Sequence, residues 1–171
     1  FANGVKVREQ SIKPSKPSSG PRAGKYDPVK AKVVWNIRRP KHDVHLIAMA
    51  TGPAVNGLHW AIPRPYQPSS AVWKPGVVGC TNPIWVDADG DGKFTSARGY
   101  AQQLIQRNGS QPGDLLPALA SFDEAVAAQA AGLVHKAGAS LRDAEFARHL
   151  EKAPESARRG FASFMKTMGE E

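Results

Sequence analysis

Thr81-Asn82-Pro83-Ile84-Trp85-Val86-Asp87-Ala88-Asp89-Gly90-Asp91-Gly92-Lys93-Phe94-Thr95 is the stretch around which this chain is organised. Ile84, Trp85 and Val86 make a short run of β-branched and aromatic side chains, the composition of a strand. Asp87, Asp89 and Asp91 follow at alternate positions with Gly92 next, so the strand runs into an acidic turn. Upstream the chain reads as strands and proline-rich loops. Downstream the hydrophobic period changes to that of helices and stays so to the end.

Working outward to the N-terminal side, Asn3-Gly4 is the strongest short hairpin signal, because both turn positions need positive φ. Val5 and Val7 alternate with Lys6 and Arg8, which predicts a half-buried strand. Only Phe1 and Ala2 precede the turn, so Phe1 reads as a processed end or fragment edge, with a partner strand expected further upstream. Residues 13–25 form a Pro/Ser/Gly loop. Ala31, Val33, Trp35 and Ile37 predict a second strand with Trp35 inward. The nearly continuous apolar run 44–50 predicts a central strand covered on both faces. Residues 53–83 read as a long ordered loop, because Trp60, Tyr66 and Trp73 within it are there to be packed. Four strands fall short of the roughly seven of an immunoglobulin-type sandwich. The expected fold is therefore α+β, a partial antiparallel β-sandwich (immunoglobulin-like) over residues 1–95 and a helical extension over 96–171.

Ser96 opens the helical half. Ala97, Tyr100, Ala101, Leu104 and Ile105 share one face, and Asn108-Gly109 ends that helix. A short turn is expected over 114–120. Asp123 caps a helix over 124–136 that Gly138 stops. Ser140 and Asp143 resemble a capping box for a helix over 141–152. Pro154 starts the last helix, with Ala157, Phe161, Phe164, Met165 and Met168 along one stripe read as core or interface.

Length and composition suit one soluble domain, or one domain with an extension, among 171 residues. No apolar run approaches the roughly 20 residues of a membrane span. Compartment stays open, with extracellular or periplasmic settings favoured. The single Cys80 excludes an intrachain disulfide and reads as a small buried hydrophobe. Of the formal charge of +8, residues 1–60 carry eleven Lys/Arg against three Asp/Glu, and residues 61–171 carry twelve against twelve. That imbalance fits either a charged sheet edge or an anion-binding surface built on Lys13, Lys16, Arg22, Lys25, Arg38 and Arg39. Nucleic acid is disfavoured, because these cations lack the interleaved aromatics of a single-strand platform.

Ligand-type side chains are spaced for chemistry only in the acidic turn. Asp87, Asp89, Asp91 and Gly92 match positions 1, 3, 5 and 6 of a calcium loop, with the Lys93 carbonyl at position 7 and Thr95 at position 9. Position 12 should hold a bidentate Glu and holds Arg98, so full coordination needs an oxygen from elsewhere or water. The alternative is a structural turn in which Arg98 reaches back to Asp87 or Asp91. His42 and His45 are three apart in a strand context and point to opposite faces. Asp43 shares a face with His45, but two ligands do not complete a catalytic zinc site. His59, His135 and His149 stand alone. There is no nucleophile elbow, and Gly90-Asp91-Gly92 is too acidic for a phosphate loop.

The run 81–87 with Asp89-Gly90-Asp91-Gly92 resembles the C-terminal signature of the CehA/McbA-like metallohydrolases of the PHP superfamily. Ala2-Asn3-Gly4-Val5 and the segment 43–52 agree with it, and the match covers roughly residues 1–95. The tail from Ser96 looks like an extension found in some bacterial relatives. The resemblance implies a C-terminal accessory domain whose metal-bearing catalytic domain lies upstream on the same polypeptide or on a cleaved fragment. It transfers no catalytic residue to this chain. The alternative expectation is a calcium-stabilised binding module in which Trp60, Tyr66 and Trp73 stack on a ligand such as a sugar.

Overall fold

The Asn3-Gly4 turn has the backbone its residues call for, with φ of 47° and 82°. Ala2 and Val5 exchange both backbone hydrogen bonds across it at 2.8 Å. In the computed structural model, which describes residues 1–13, 31–53 and 76–168, this turn lies beside strand β1 (Val44–Leu46). The amino group and carbonyl of Phe1 both bond Ile47, and the Asn3 N–H donates to the His45 carbonyl at 3.0 Å.

The remaining strands are β2 (Met49–Pro53), β3 (Gly76–Cys80) and β4 (Ile84–Val86). Among the described residues the strands form two small antiparallel sheets, β1 with β4 and β2 with β3. Leu46 faces Ile84 and Met49 faces Cys80. Two residues therefore separate the ladders on one side and three on the other. The extra residue, with Pro83 lacking an N–H, breaks what would be one long ribbon. Thr81 bridges the break: its N–H donates to the Ala48 carbonyl and its Oγ1 accepts the Ala48 N–H. The run 44–50 is thus split between sheets, and it is buried only at its start, around Val44. β3 lies inside the stretch read as loop, because pairing with β2 overrides the low strand propensity of its glycines. Residues 31–38 enter no ladder, and Trp35 is exposed rather than inward. Alternation supplies a face but no partner strand. Trp60, Tyr66 and Trp73 lie outside the described residues.

Among the described residues five α-helices follow. In α1 (Ala97–Asn108) the Ser96 hydroxyl accepts the Gly99 N–H, and Gly109 ends the helix at φ 77°. α2 (Pro112–Ala118) starts on a proline, as the first turn permits, and runs into a 3-10 turn at Leu119–Ser121. Asp123 caps α3 (Glu124–Lys136) through the Val126 N–H at 3.0 Å. α4 (Ala144–Glu151) begins three residues later than expected, because residues 140–143 form a turn instead of a capping box. α5 (Glu155–Thr167) has Pro154 at its cap.

The core is helical. Its buried cluster runs from Tyr100 to Phe161 and is centred on Leu115, Leu119, Val126, Val134 and Phe161. α3 and α5 approach closely at Gly160, where an added Cβ would lie 2.5 Å from the Ala127 Cβ and 2.6 Å from the Glu124 carbonyl oxygen. The stripe on α5 continues through Phe164 and Met165 and runs out at the exposed Met168. The sheets contribute little by comparison. Met49, Val78, Ile84 and Trp85 all face solvent, the last two at 64% and 59% exposure. Among the described residues no helix is long and apolar enough to cross a membrane.

Candidate metal centre at the strand–helix junction

The acidic turn folds around its own carboxylates. Asp87 Oδ1 accepts the Gly90 N–H at 2.6 Å and Oδ2 the Gly92 N–H at 2.9 Å. Asp89 Oδ1 accepts the Asp91 N–H, and Asp91 Oδ1 accepts the Lys93 N–H. Gly90 and Gly92 both sit at φ 79°, a conformation L side chains rarely adopt.

The turn is anchored from outside by Asp43, which precedes β1 and is fully buried. Its Oδ1 accepts the Ala88 N–H at 2.8 Å and its Oδ2 the Thr95 N–H at 2.7 Å. One carboxylate thus holds both ends of the turn. Burial pushes the Asp43 carboxyl up, but the N–H groups of Thr95 and Ala88 outweigh it, so it titrates below the usual carboxylate range. Tyr100 joins α1 to the same point. Its hydroxyl donates to Asp89 Oδ2 at 2.9 Å and accepts the Asp43 N–H at 3.2 Å. Burial first, and the nearby carboxylates with it, push this phenol up to about 12. Arg39 donates to the Ala88 carbonyl and fastens the other side.

Asp43, Asp87 and Asp89 each offer an oxygen, and the three lie within 4.8 Å of one another. That grouping could hold a metal ion. Each bonded oxygen retains a second lone pair, so the hydrogen bonds do not exhaust the donor set. Of the five residues proposed from spacing, Asp87 and Asp89 are in the group and Asp91 is outside it. Lys93 gives its N–H to Asp91, and Thr95 gives its N–H to Asp43. The third carboxylate of the group is Asp43, from outside the turn. Arg98 makes no ion pair with Asp87 or Asp91 among the described residues. Sequence spacing hides Asp43, which is 44 positions before Asp87. Its one signal is a carboxylate at the edge of an apolar run.

A second polar junction lies beside the first. His42 is buried between the rings of Tyr100 and Phe122. Its Nε2 is 3.1 Å from Asp123 Oδ2, without the alignment of a hydrogen bond. The Asn3 amide donates to the same oxygen at 3.0 Å, while its Oδ1 accepts the His45 N–H. Burial pushes the Asp123 carboxyl up, but His42 and the Val126 N–H bring it below its ordinary value.

The other candidates scatter. His45 packs on Trp85 and His135 on Phe164, and His59 lies outside the described residues. Cys80 is exposed rather than buried, because it ends an uncovered sheet. Of the basic residues, Lys13 and Arg38 are exposed, Arg39 is tied to Ala88, and Lys16, Arg22 and Lys25 lie outside the described residues. An open groove of about 1160 Å³ runs between β4 and the helices, with Trp85, Phe94, His45, Arg98, Gln129 and Arg159 in its lining. Comparison with family models, curated proteins and solved structures finds no match.

Proposed function

We propose that this chain is a non-catalytic accessory region of a PHP-type metal-dependent hydrolase, completing a β-sandwich and packing on the catalytic module. The observation that carries this reading is the uneven distribution of the core. The helices bury a continuous cluster, while both sheets leave Met49, Val78, Ile84 and Trp85 exposed. A two-stranded sheet is marginal in water unless a third strand or another layer covers it. The chemistry agrees. Among the described residues the grouped carboxylates Asp43, Asp87 and Asp89 accept backbone N–H groups and the Tyr100 hydroxyl, and the buried His42 faces Asp123 and two rings. Neither set presents a nucleophile and base to an open site.

Within that reading the acidic turn holds Ca²⁺ through Asp87, Asp89 and Asp43, a hard cation on carboxylate oxygens. The ion would offset two of the three crowded negative charges and clamp β4 to α1. Two measurements test the proposal. The purified chain, supplied with Zn²⁺, Mn²⁺ or Ca²⁺, should hydrolyse neither phosphate nor carboxylic esters. Chelator-sensitive turnover would overturn the accessory role. At a dissociation constant of about 10⁻⁴ M, 5 mM Ca²⁺ should add about 2 kcal/mol of stability, and Asp89→Ala should remove that gain. An identical melting temperature with Ca²⁺ and with chelator overturns the metal assignment.

The second reading, a calcium-stabilised binding module, draws on the open groove. There Trp85 meets Phe94 edge-on at 4.5 Å and leaves much of its surface free. An aromatic platform beside Gln129 and Arg98 suits a ligand such as a sugar. Quenching of tryptophan fluorescence by oligosaccharides, lost in Trp85→Ala, would favour it over the accessory role.

A further inference from the structure

We infer that residues 31–38 pair as a β-strand with another protein's sheet edge, and that the edge they fit carries carboxylates. All eight residues are exposed, and none belongs to a helix, a turn or a strand ladder. Among the described residues none of their backbone N–H or carbonyl groups through Ile37 makes a hydrogen bond. Yet Val33, Val34, Trp35 and Ile37 are the side chains of a strand, not of a solvated linker. Val34 is 79% exposed and Trp35 43%. Paired as a strand, at about 3.3 Å per residue, eight residues would span roughly 26 Å, within the ordinary range of strand lengths.

An unpaired strand with free backbone groups is a template for strand addition. Charge selects its partner. Residues 31–42 contain Lys32, Arg38, Arg39 and Lys41 and no Asp or Glu. Opposite charges on facing strands stabilise the pair and like charges oppose it. A second copy of this chain would bring the same cations, on a chain already at +8. An edge strand bearing Glu or Asp brings the complement. A lipid surface is a poorer match, because an extended segment entering hydrocarbon leaves its backbone groups unsatisfied. The pairing does not depend on the partner being a hydrolase module.

The test uses the purified chain and a nine-residue peptide alternating Glu with Val and Thr. Amide hydrogen exchange across residues 32–38 should slow at least tenfold at millimolar peptide. The same peptide with alternate amides N-methylated should bind at least tenfold more weakly, and so should a version with Lys in place of Glu. Val34→Pro and Trp35→Pro remove neighbouring N–H groups that point to opposite edges. Among the described residues neither N–H has a partner to lose, so both variants should keep the parent melting temperature, and one of them should weaken peptide binding tenfold. Unchanged exchange at 32–38 overturns the proposal. Equal binding by the N-methylated peptide overturns strand pairing, and equal binding by the Lys peptide overturns the acidic partner. Protection of these amides by phosphatidylserine vesicles but not by the peptide reassigns the segment to a membrane. Protection that grows with protein concentration alone reassigns it to self-association.

Discussion

Replacing Asp43 with asparagine changes one atom's chemistry at the point where the two halves of the chain meet. The native carboxylate is fully buried and takes one backbone N–H on each oxygen, at 2.8 and 2.7 Å. The substituted amide would keep one acceptor and turn an NH₂ toward the other N–H. The lost bond is charge-assisted, worth about 1.5–3 kcal/mol, and the stranded donor adds about 1–3 kcal/mol of desolvation. Asp43→Asn should therefore cost about 4 kcal/mol, a large part of the roughly 5–15 kcal/mol that holds a domain folded. For a chain of this size that lowers the melting temperature by roughly 8–16 °C. Asp43→Ala, which strands both N–H groups, should be at least as damaging. Asp87→Asn makes a useful control, because its partners are exposed N–H groups that water can satisfy. It should cost under about 1 kcal/mol. Differential scanning calorimetry in chelator removes any metal contribution. A fall of less than about 3 °C for Asp43→Asn, or equal falls for Asp43→Asn and Asp87→Asn, would refute the anchoring role.

Gly160→Ala should destabilise by about 1–3 kcal/mol despite the higher helix propensity of Ala, because its Cβ meets Ala127 and the Glu124 carbonyl below contact distance; urea unfolding reads this, and a stabilised variant would mean that α3 and α5 separate at no cost. Acid should weaken the fold through Asp43 and Asp123. Both carboxyls titrate below their ordinary value in the folded state, so the unfolded chain takes up protons first as pH falls. Their contribution is intact above about pH 5, and unfolding midpoints should drop from there through the lower folded-state values. Asp43→Ala together with Asp123→Ala should flatten that slope. At the alkaline end the sign reverses for Tyr100. Its folded phenol, at about 12, holds its proton above the unfolded value near 10, so stability falls between about pH 10 and 12. One of the three tyrosines should ionise late when absorbance is followed at alkaline pH, and Tyr100→Phe should remove that late step.

Local signals in this chain were legible where they are satisfied locally. Asn3-Gly4 is a turn because its two positions need positive φ, and the structure gives them that. Ser96 and Asp123 cap the helices they precede, since a cap needs only a side-chain oxygen within three residues of an open N–H. The same logic failed at Ser140, because residues 140–143 turn and the helix starts after Asp143, whose side chain makes no capping bond. Strands were less readable for a physical reason. A strand's hydrogen bonds go to another strand, and alternation in residues 31–37 says nothing about whether one is there. Pairing made a strand of the glycine-bearing Gly76–Cys80 and left the better strand former at 31–38 alone.

The carboxylate group divides along the same line. Spacing alone determined that Asp87, Asp89 and Asp91 belong to one tight turn, because alternate side chains around glycines at positive φ must lie near each other. Only the tertiary structure decided that Asp43 joins Asp87 and Asp89 while Asp91 turns to the Lys93 N–H. The β1–β4 ladder sets Val44 opposite Val86 and so brings their neighbours Asp43 and Asp87 alongside each other. A contact 44 positions apart in the chain is fixed by that register, which no local pattern records.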